Sequence, residues 1–277
     1  MDMARTSGHV HTVTGIDWHP LERDIVLTSS MDGSARLWNL NGKTQFQKLV
    51  CDKVYRAKNA RGQRTAITAV AYHPGGREFS MGTACGSLQI WSTTKVGPRP
   101  DRVVYDAHSE GKPITAVVYN PGGTHIATRS SSDTAVHVWD ARRLSKSSRP
   151  VASCSNVPTT HEGSSCDFSP NGKFLAIGCS GFDTTDAGKR QEVGTVRFFQ
   201  VSEGEAGKPI DEVPAKAGVG VVQVKWDAKL NQIVVGCSDA RYVESKTLWP
   251  CLFVVQLRNS RPVLSVSVVL WSSTTKL

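Results

Sequence analysis

Asp140, Arg142, Arg143, Lys146 and Arg149 are the residues of this chain whose types and spacing could do chemistry. Residues 132–142 read S-D-T-A-V-H-V-W-D-A-R and end on Asp140-Ala141-Arg142. A planar guanidinium held by a neighbouring carboxylate presents its donors in a fixed fork. Arg142 would be the contact side chain and Asp140 the group that orients it. The chain continues A-R-R-L-S-K-S-S-R-P, where Arg143, Lys146 and Arg149 could touch RNA or DNA phosphates or form a solvated connector. Other candidates fail on spacing. Residues 204–209, G-E-A-G-K-P, lack the G-x-x-x-x-G-K-[ST] pattern of a phosphate loop and do not lead from a strand into a helix. His161-Glu162 is followed by G-S-S-C, without the second histidine of a zinc-binding helix. His19 and His73 recur at one place in a repeat, which marks them as turn residues and not a metal pair. The expectation is a protein with no catalytic residue, no metal, no cofactor, no small-molecule substrate and no enzymatic activity.

The elements that would position these residues are short strands. In 132–142, Ala135, His137 and Trp139 alternate with Val136, Val138 and Asp140, the period-2 pattern of a strand. Diluted copies recur as D-G-S-A-R-L-W-N at 32–39, C-G-S-L-Q-I-W-S at 85–92 and G-T-V-R-F-F-Q at 194–200. Upstream of each stands a second box: I-D-W-H-P at 16–20, V-A-Y-H-P at 70–74, V-V-Y-N-P at 117–121, C-D-F-S-P at 166–170 and V-K-W-D-A at 224–228. The interval is ~50 residues, the mark of a repeat protein. Between the boxes an apolar run ends in small residues, and a weaker fourth strand, such as R-V-V-Y at 102–105, leads to the next unit. Pro and Gly fall at the turns, where no ladder hydrogen bond is lost.

Composition sets the class. The chain has 277 residues, a formal charge of +9, 24 Gly and 13 Pro, with 39% hydrophobic residues, which suits a strand-rich globular protein. The positive charge would draw polyanions or acidic protein faces at long range. Seven scattered cysteines with no C-x-x-C predict reduced thiols inside a cell. There is no N-x-[ST] sequon and no apolar leader at 1–7, and the apolar stretch 248–271 is interrupted by Arg258, Arg261 and Pro262, so neither secretion nor membrane insertion is expected.

Units of three or four strands, with Gly8-His9 or Ala107-His108 before the first and Trp38, Trp91 or Trp139 near the end of the third, resemble WD-repeat β-propeller blades. In such blades a His, a Ser or Thr, the turn Asp and the Trp form a hydrogen-bonded set. The resemblance implies His9, Thr28, Asp32 and Trp38 in the first blade and His108, Thr128, Asp133 and Trp139 in the third. The second blade lacks the His and has Cys85 for Asp, while the fourth has Phe199 for Trp, so apolar packing should hold both. The wording of several boxes is similar to the WD repeat-containing protein seventy (gastrulation-defective homologue) family: Trp18-His19-Pro20 with Thr28 to Asp32, Gly86 to Trp91, Ala107-His108-Ser109, Ala127-Thr128-Arg129 with Val138 to Arg142, and K-L-N-Q-I-V-V-G at 229–236. That resemblance implies a non-enzymatic nuclear scaffold. It points to a substrate receptor of a cullin-4 ubiquitin ligase tied to histone ubiquitination and the DNA-damage response, or to spliceosome-associated assemblies. Trp139-Asp140-Ala141-Arg142 would be the box that meets the ligase adaptor.

The expected fold is all-β, an incomplete WD-repeat propeller of about five blade-like units at 8–55, 56–105, 106–152, 153–212 and 213–238. Residues 239–277 would be a divergent tail. The polar segment 180–193 is expected as a mobile surface loop. Five units are too few for the usual ring of about seven, so a fragment or altered product of a longer protein, even a non-functional one, is the remaining expectation.

Overall fold

Strands such as His125–Ser130 and Glu78–Thr83 place buried residues on both of their alternating faces, so sheets built from them must be covered on both sides. The computed structural model of the chain describes residues 8–41, 50–95, 97–108, 111–130, 133–161, 163–184, 190–201, 209–215, 218–227, 232–238, 252–258 and 265–270. Ser109, Ser132, Glu162, 204–208 and 229–231, all singled out in the sequence, lie outside them. The described residues form strands and turns without a helix.

The strands make five four-stranded sheets, each in sequence order. The first holds β1 Val13–Trp18, β2 Ile25–Ser30, β3 Ser34–Asn39 and β4 Val50–Arg56. The second holds β5 Ile67–Tyr72, β6 Glu78–Thr83, β7 Leu88–Ser92 and β8 Arg102–Val104, and the third β9 Ile114–Tyr119, β10 His125–Ser130, β11 Val136–Asp140 and β12 Ala152–Cys154. The fourth holds β13 Cys166–Phe168, β14 Phe174–Thr184, β15 Arg190–Gln200 and β16 Asp211–Pro214, and the fifth β17 Val221–Asp227, β18 Gln232–Cys237, β19 Leu252–Arg258 and β20 Ser265–Leu270. The repeat extends to its irregularities. The first strand slips register at the same place in four sheets, between Val13 and Gly15, Ile67 and Ala69, Ile114 and Ala116, and Val221 and Gln223.

Two segments differ from the sequence expectation. The polar stretch expected as a mobile loop is mostly strand, because β14 and β15 stay paired out to Thr184↔Arg190. Thr, Val and Phe at alternate positions sustain that ladder despite the charges between them, and Arg190 sits over the Phe182 ring at 4.1 Å. The segment set apart as a tail supplies β19 and β20, so the fifth sheet has four strands where two short boxes were legible.

The chain divides into two compact units, Met1–Val151 and Ala152–Leu277. In the first, Leu27, Leu37 and Tyr55 pack with Ile67, Tyr72, Phe79, Met81 and Trp91. Leu88, Ile90 and Val104 likewise pack with Ile114, Val117, Ile126 and Trp139. Each large apolar side chain buried this way contributes about 2 kcal/mol. Polar staples fix the stacking: Thr14 Oγ1 donates to Ile67 O at 2.7 Å, Thr68 Oγ1 to Ile114 O at 2.6 Å, and Asp17 Oδ2 accepts from Tyr72 N at 2.7 Å. His19 and His73 do more than turn the chain. Nε2–H of His19 donates to Gly76 O at 3.0 Å and that of His73 to Gly123 O at 3.1 Å, each reaching the next sheet. Among the described residues of this unit nothing covers the equivalent face of β1, so Val13, Ile16 and Trp18 are exposed where Ile67 and Tyr72 are buried.

The second unit repeats the scheme. Phe198, Val196 and Ala176 pack with Val221, Val224, Trp226 and Ile233. Asp167 Oδ2 accepts from Trp226 N at 2.9 Å, in the role Asp17 plays for Tyr72, and Ser165 Oγ accepts from Val224 N at 2.8 Å.

The His19 staple yields a prediction. Gly76 has φ +71°, and a Cβ there would sit 2.5 Å from the His19 ring. Gly76→Ala should therefore strain the backbone and push His19 off its carbonyl, at a cost of about 1–3 kcal/mol. Thermal unfolding followed by circular dichroism should show a fall of several degrees; an unchanged midpoint would remove the staple from the stability argument.

Candidate functional site

The site is built on β10 and β11. Thr128 stands on β10 opposite His137 in the ladder, Ile126 stands opposite Trp139, and the turn before β11 carries Asp133. Trp139 Nε1–H donates to Thr128 Oγ1 at 2.9 Å. Thr128 Oγ1 lies 2.9 Å from His108 Nε2, and His108 Nδ1 lies 2.6 Å from Asp133 Oδ2. One arrangement of protons satisfies the whole chain: indole to hydroxyl, hydroxyl to Nε2, Nδ1–H to carboxylate. Thr128, His108 and Trp139 are buried, so each bond replaces one that water would otherwise make. Burial pushes the Asp133 carboxyl up, but the His108 hydrogen bond and charge together with Ala135 N–H outweigh it and hold it below the usual range.

The first sheet carries the same set. Trp38 Nε1 donates to Thr28 Oγ1 at 2.7 Å, Thr28 Oγ1 is 2.7 Å from His9 Nε2, and His9 Nδ1 is 2.9 Å from Asp32 Oδ2. Asp32 also accepts from Ser34 Oγ at 2.6 Å, Ser34 N at 2.8 Å and Val10 N at 3.2 Å. Burial raises its pKa, yet these donors, Ser34 foremost and then His9, bring it down to about 2.

The other sheets show what happens when a member is lost. In the second, Met81 occupies the ladder position of Thr28 and Thr128. Trp91 is buried and its Nε1 has no hydrogen-bond partner among the described residues. Around Cys85 a smaller set remains, with Thr83 Oγ1 2.7 Å from Ser87 Oγ and 3.2 Å from Cys85 Sγ. In the fourth sheet Ile177 and Phe199 stand in the Thr and Trp positions, so the donor and the acceptor disappear together. Apolar packing was expected to be the main support there. A polar network stands beside it: His161 Nε2 meets Glu192 Oε1 at 2.7 Å, and Thr160 Oγ1 and Ser238 Oγ donate to Glu192 at 2.7 and 2.8 Å. The carboxylate had moved from the tight turn to the extended arm of β15, which the box pattern does not cover.

Beyond Trp139 the chain leaves the core. Asp140 Oδ1 accepts from the backbone N–H of Arg142 at 2.9 Å, and Asp140 Oδ2 lies 3.9 Å from Arg143 Nε. This corrects the sequence reading: Asp140 orders the main chain of Arg142 and pairs with Arg143, and does not hold the Arg142 guanidinium. A turn with Ser148 Oγ accepting from Ser145 N at 2.8 Å and donating to Arg143 O at 3.2 Å follows, anchored by buried Leu144. Arg142, Arg143, Lys146 and Arg149 are exposed on this loop, with Lys146 Nζ 5.8 Å from the Tyr105 ring.

Two outcomes test these networks. Thr128→Val removes the shared hydroxyl and leaves the Trp139 indole and His108 Nε2 without it, at a cost of about 2 kcal/mol; equilibrium denaturation of this variant should show the loss, and a parent-like midpoint would contradict it. Asp32 takes its proton near pH 3.8 in the unfolded chain but only near 2 in the folded one. Its contribution is therefore complete above pH 3.8 and is lost as pH falls towards 2. Melting measured from pH 5 to 2 should decline less steeply for Asp32→Asn than for the parent; equal slopes would count against it.

The model for the WD domain, G-beta repeat, matches residues 3–39, 101–140 and 151–185, which include both complete His-Thr-Asp-Trp sets. Gastrulation defective protein 1 homolog of Drosophila melanogaster is 30% identical over 86% of this chain and 33% of its own length. WD repeat-containing protein 70 of Xenopus tropicalis is 30% identical over 85% of this chain and 35% of its own length, and that of Homo sapiens 29% over 85% and 33%. The chain spans about a third of the length of the curated relatives it matches. The described residues are all-β, the chain carries matches to the WD40 repeat, and it is similar over about 85% of its length to WD repeat-containing protein 70 and the gastrulation defective homologue.

Proposed function

We propose that this protein is a non-enzymatic nuclear scaffold that joins protein complexes, acting as a substrate receptor of a cullin-4 ubiquitin ligase with a role in histone ubiquitination and DNA-damage signalling. WD40 repeats mediate protein–protein interactions and are typically non-enzymatic, which supports the scaffold part of the reading. The single observation that carries the adaptor contact is the setting of Arg142. Its Trp139 neighbour is buried, its backbone N–H is fixed by Asp140, and its side chain is exposed. A guanidinium projecting from a fixed main chain loses little freedom when it docks on an acidic or carbonyl-lined surface.

Pull-down of the purified ligase adaptor by the full 277-residue chain tests this. Arg142→Ala should weaken capture at least tenfold with melting unchanged, whereas Arg143→Ala, which removes only an exposed charge and a long ion pair, should alter it little. Capture that survives Arg142→Ala would overturn the assignment.

The exposed run Arg143, Lys146 and Arg149 favours a second reading, contact with RNA or DNA phosphates. Binding that falls steeply with salt and is lost in the triple alanine variant would support it, and the absence of binding at low salt would dismiss it.

A further inference from the structure

The third sheet differs from its siblings at one position beside the His-Thr-Asp-Trp set. Opposite the Thr position of β10 stands His137; at the corresponding ladder position β3 has Arg36, β7 has Gln89 and β15 has Arg197. The long polar residues are replaced, in this sheet alone of these four, by a second imidazole. His137 lies against His108, with ring centroids 4.7 Å apart and planes tilted by 31°. The ligand atoms of His108, Asp133 and His137 fall within 4.8 Å of one another.

We propose that His108, Asp133 and His137 form a binding site for one divalent transition-metal ion of the zinc class. Two imidazoles and a carboxylate are the donors such ions take, and imidazole disfavours calcium and magnesium. Three protein ligands leave the fourth position to water or to a group from a partner. Metal–ligand bonds of about 2.0–2.2 Å set tetrahedral ligand atoms about 3.4 Å apart. The His108–Asp133 contact of 2.6 Å must open by less than an ångström, and the widest separation must close by somewhat more, both within reach of side-chain rotation. Asp133 and His137 are half-exposed, which gives the ion a route from solvent.

The protons balance without a net change. On binding, the Nδ1 proton of His108 moves to Nε2, where it donates to Thr128 Oγ1. That oxygen then accepts from both His108 and Trp139, and Nδ1 faces the metal. The fold keeps its indole–hydroxyl–imidazole contacts while the carboxylate exchanges a hydrogen bond for a metal bond. The ion would tie the Asp133 turn to His137 on β11, the strand that leads to Arg142, and to His108 ahead of β9.

Calorimetric titration of the intact chain with Zn²⁺, and absorption spectra with Co²⁺, test the site. The control is His137→Arg, since arginine occupies the same position in β3 and β15. The parent should take up Zn²⁺, show the intense visible bands of tetrahedral Co²⁺, and melt at higher temperature with Zn²⁺ than with a chelator. His137→Arg should bind one equivalent fewer, or at least tenfold more weakly, and lose those bands while melting like the chelated parent. If that variant does not fold, His137→Gln, the residue of β7, serves in its place. A parent that binds no Zn²⁺, or variants that bind it as well as the parent, would overturn the site.

Discussion

Everything in this structure depends on one constraint: a four-stranded sheet whose strands are apolar on both alternations cannot stand alone in water. Each sheet must lie against another, and the repeat is the economical way to supply one. The stacking needs direction as well as area, because apolar faces slide. The directional part comes from short side chains reaching across the seam: Thr14 and Thr68 from first strands, Ser165 just ahead of one, Asp17 and Asp167 beside the aromatic, His19 and His73 from the following turn. Each satisfies a backbone group of the next sheet that would otherwise be buried with no partner.

Within a sheet the Thr-His-Asp-Trp set solves a separate problem, how to bury an indole. Trp is favoured because it fills the seam, but its N–H must be met. Thr28 and Thr128 meet it, and each is itself held by a His whose other nitrogen is held by an Asp. The second sheet keeps Trp91 but has Met81 in the Thr position, so the indole has no partner among the described residues; the fourth has Phe199 with Ile177, and no indole needs one. The two halves of the device are useful together or absent together, and the second sheet carries the cost of having only one.

Period-2 alternation and the recurring Trp made the strands and their order legible, and the spacing of His, Asp and Trp made the two complete sets legible. What escaped was information that depends on register. That Met81 and Ile177 occupy the Thr position follows only from which residues face each other in the ladder. The Glu192 network could not be seen because its carboxylate sits on an arm of β15 that has no counterpart in the other repeats. Residues 180–184 read as a loop because Gly, Ser and Asp are poor strand formers, yet the six rungs of the already paired hairpin from Phe174↔Gln200 to Cys179↔Thr195 overcame that local preference. The tail strands were obscured for the opposite reason: V-L-S-V-S-V-V-L is strand-prone but lacks the turn residues that mark boundaries elsewhere.

The Asp140–Arg142 pair shows how a spacing read from sequence can suggest a side-chain contact where the fold makes a backbone one. The sequence places a carboxylate two residues from a guanidinium, and side-chain pairing is the first idea. On a chain leaving a strand, however, an Asp captures the backbone N–H two residues on more cheaply than it captures a long flexible side chain, because an amide already fixed by the turn has little freedom left to lose. The consequence for function is favourable. A carboxylate committed to the main chain leaves the Arg142 guanidinium available for the proposed contact, whereas a salt bridge to Arg142 would have to be broken before any docking could begin.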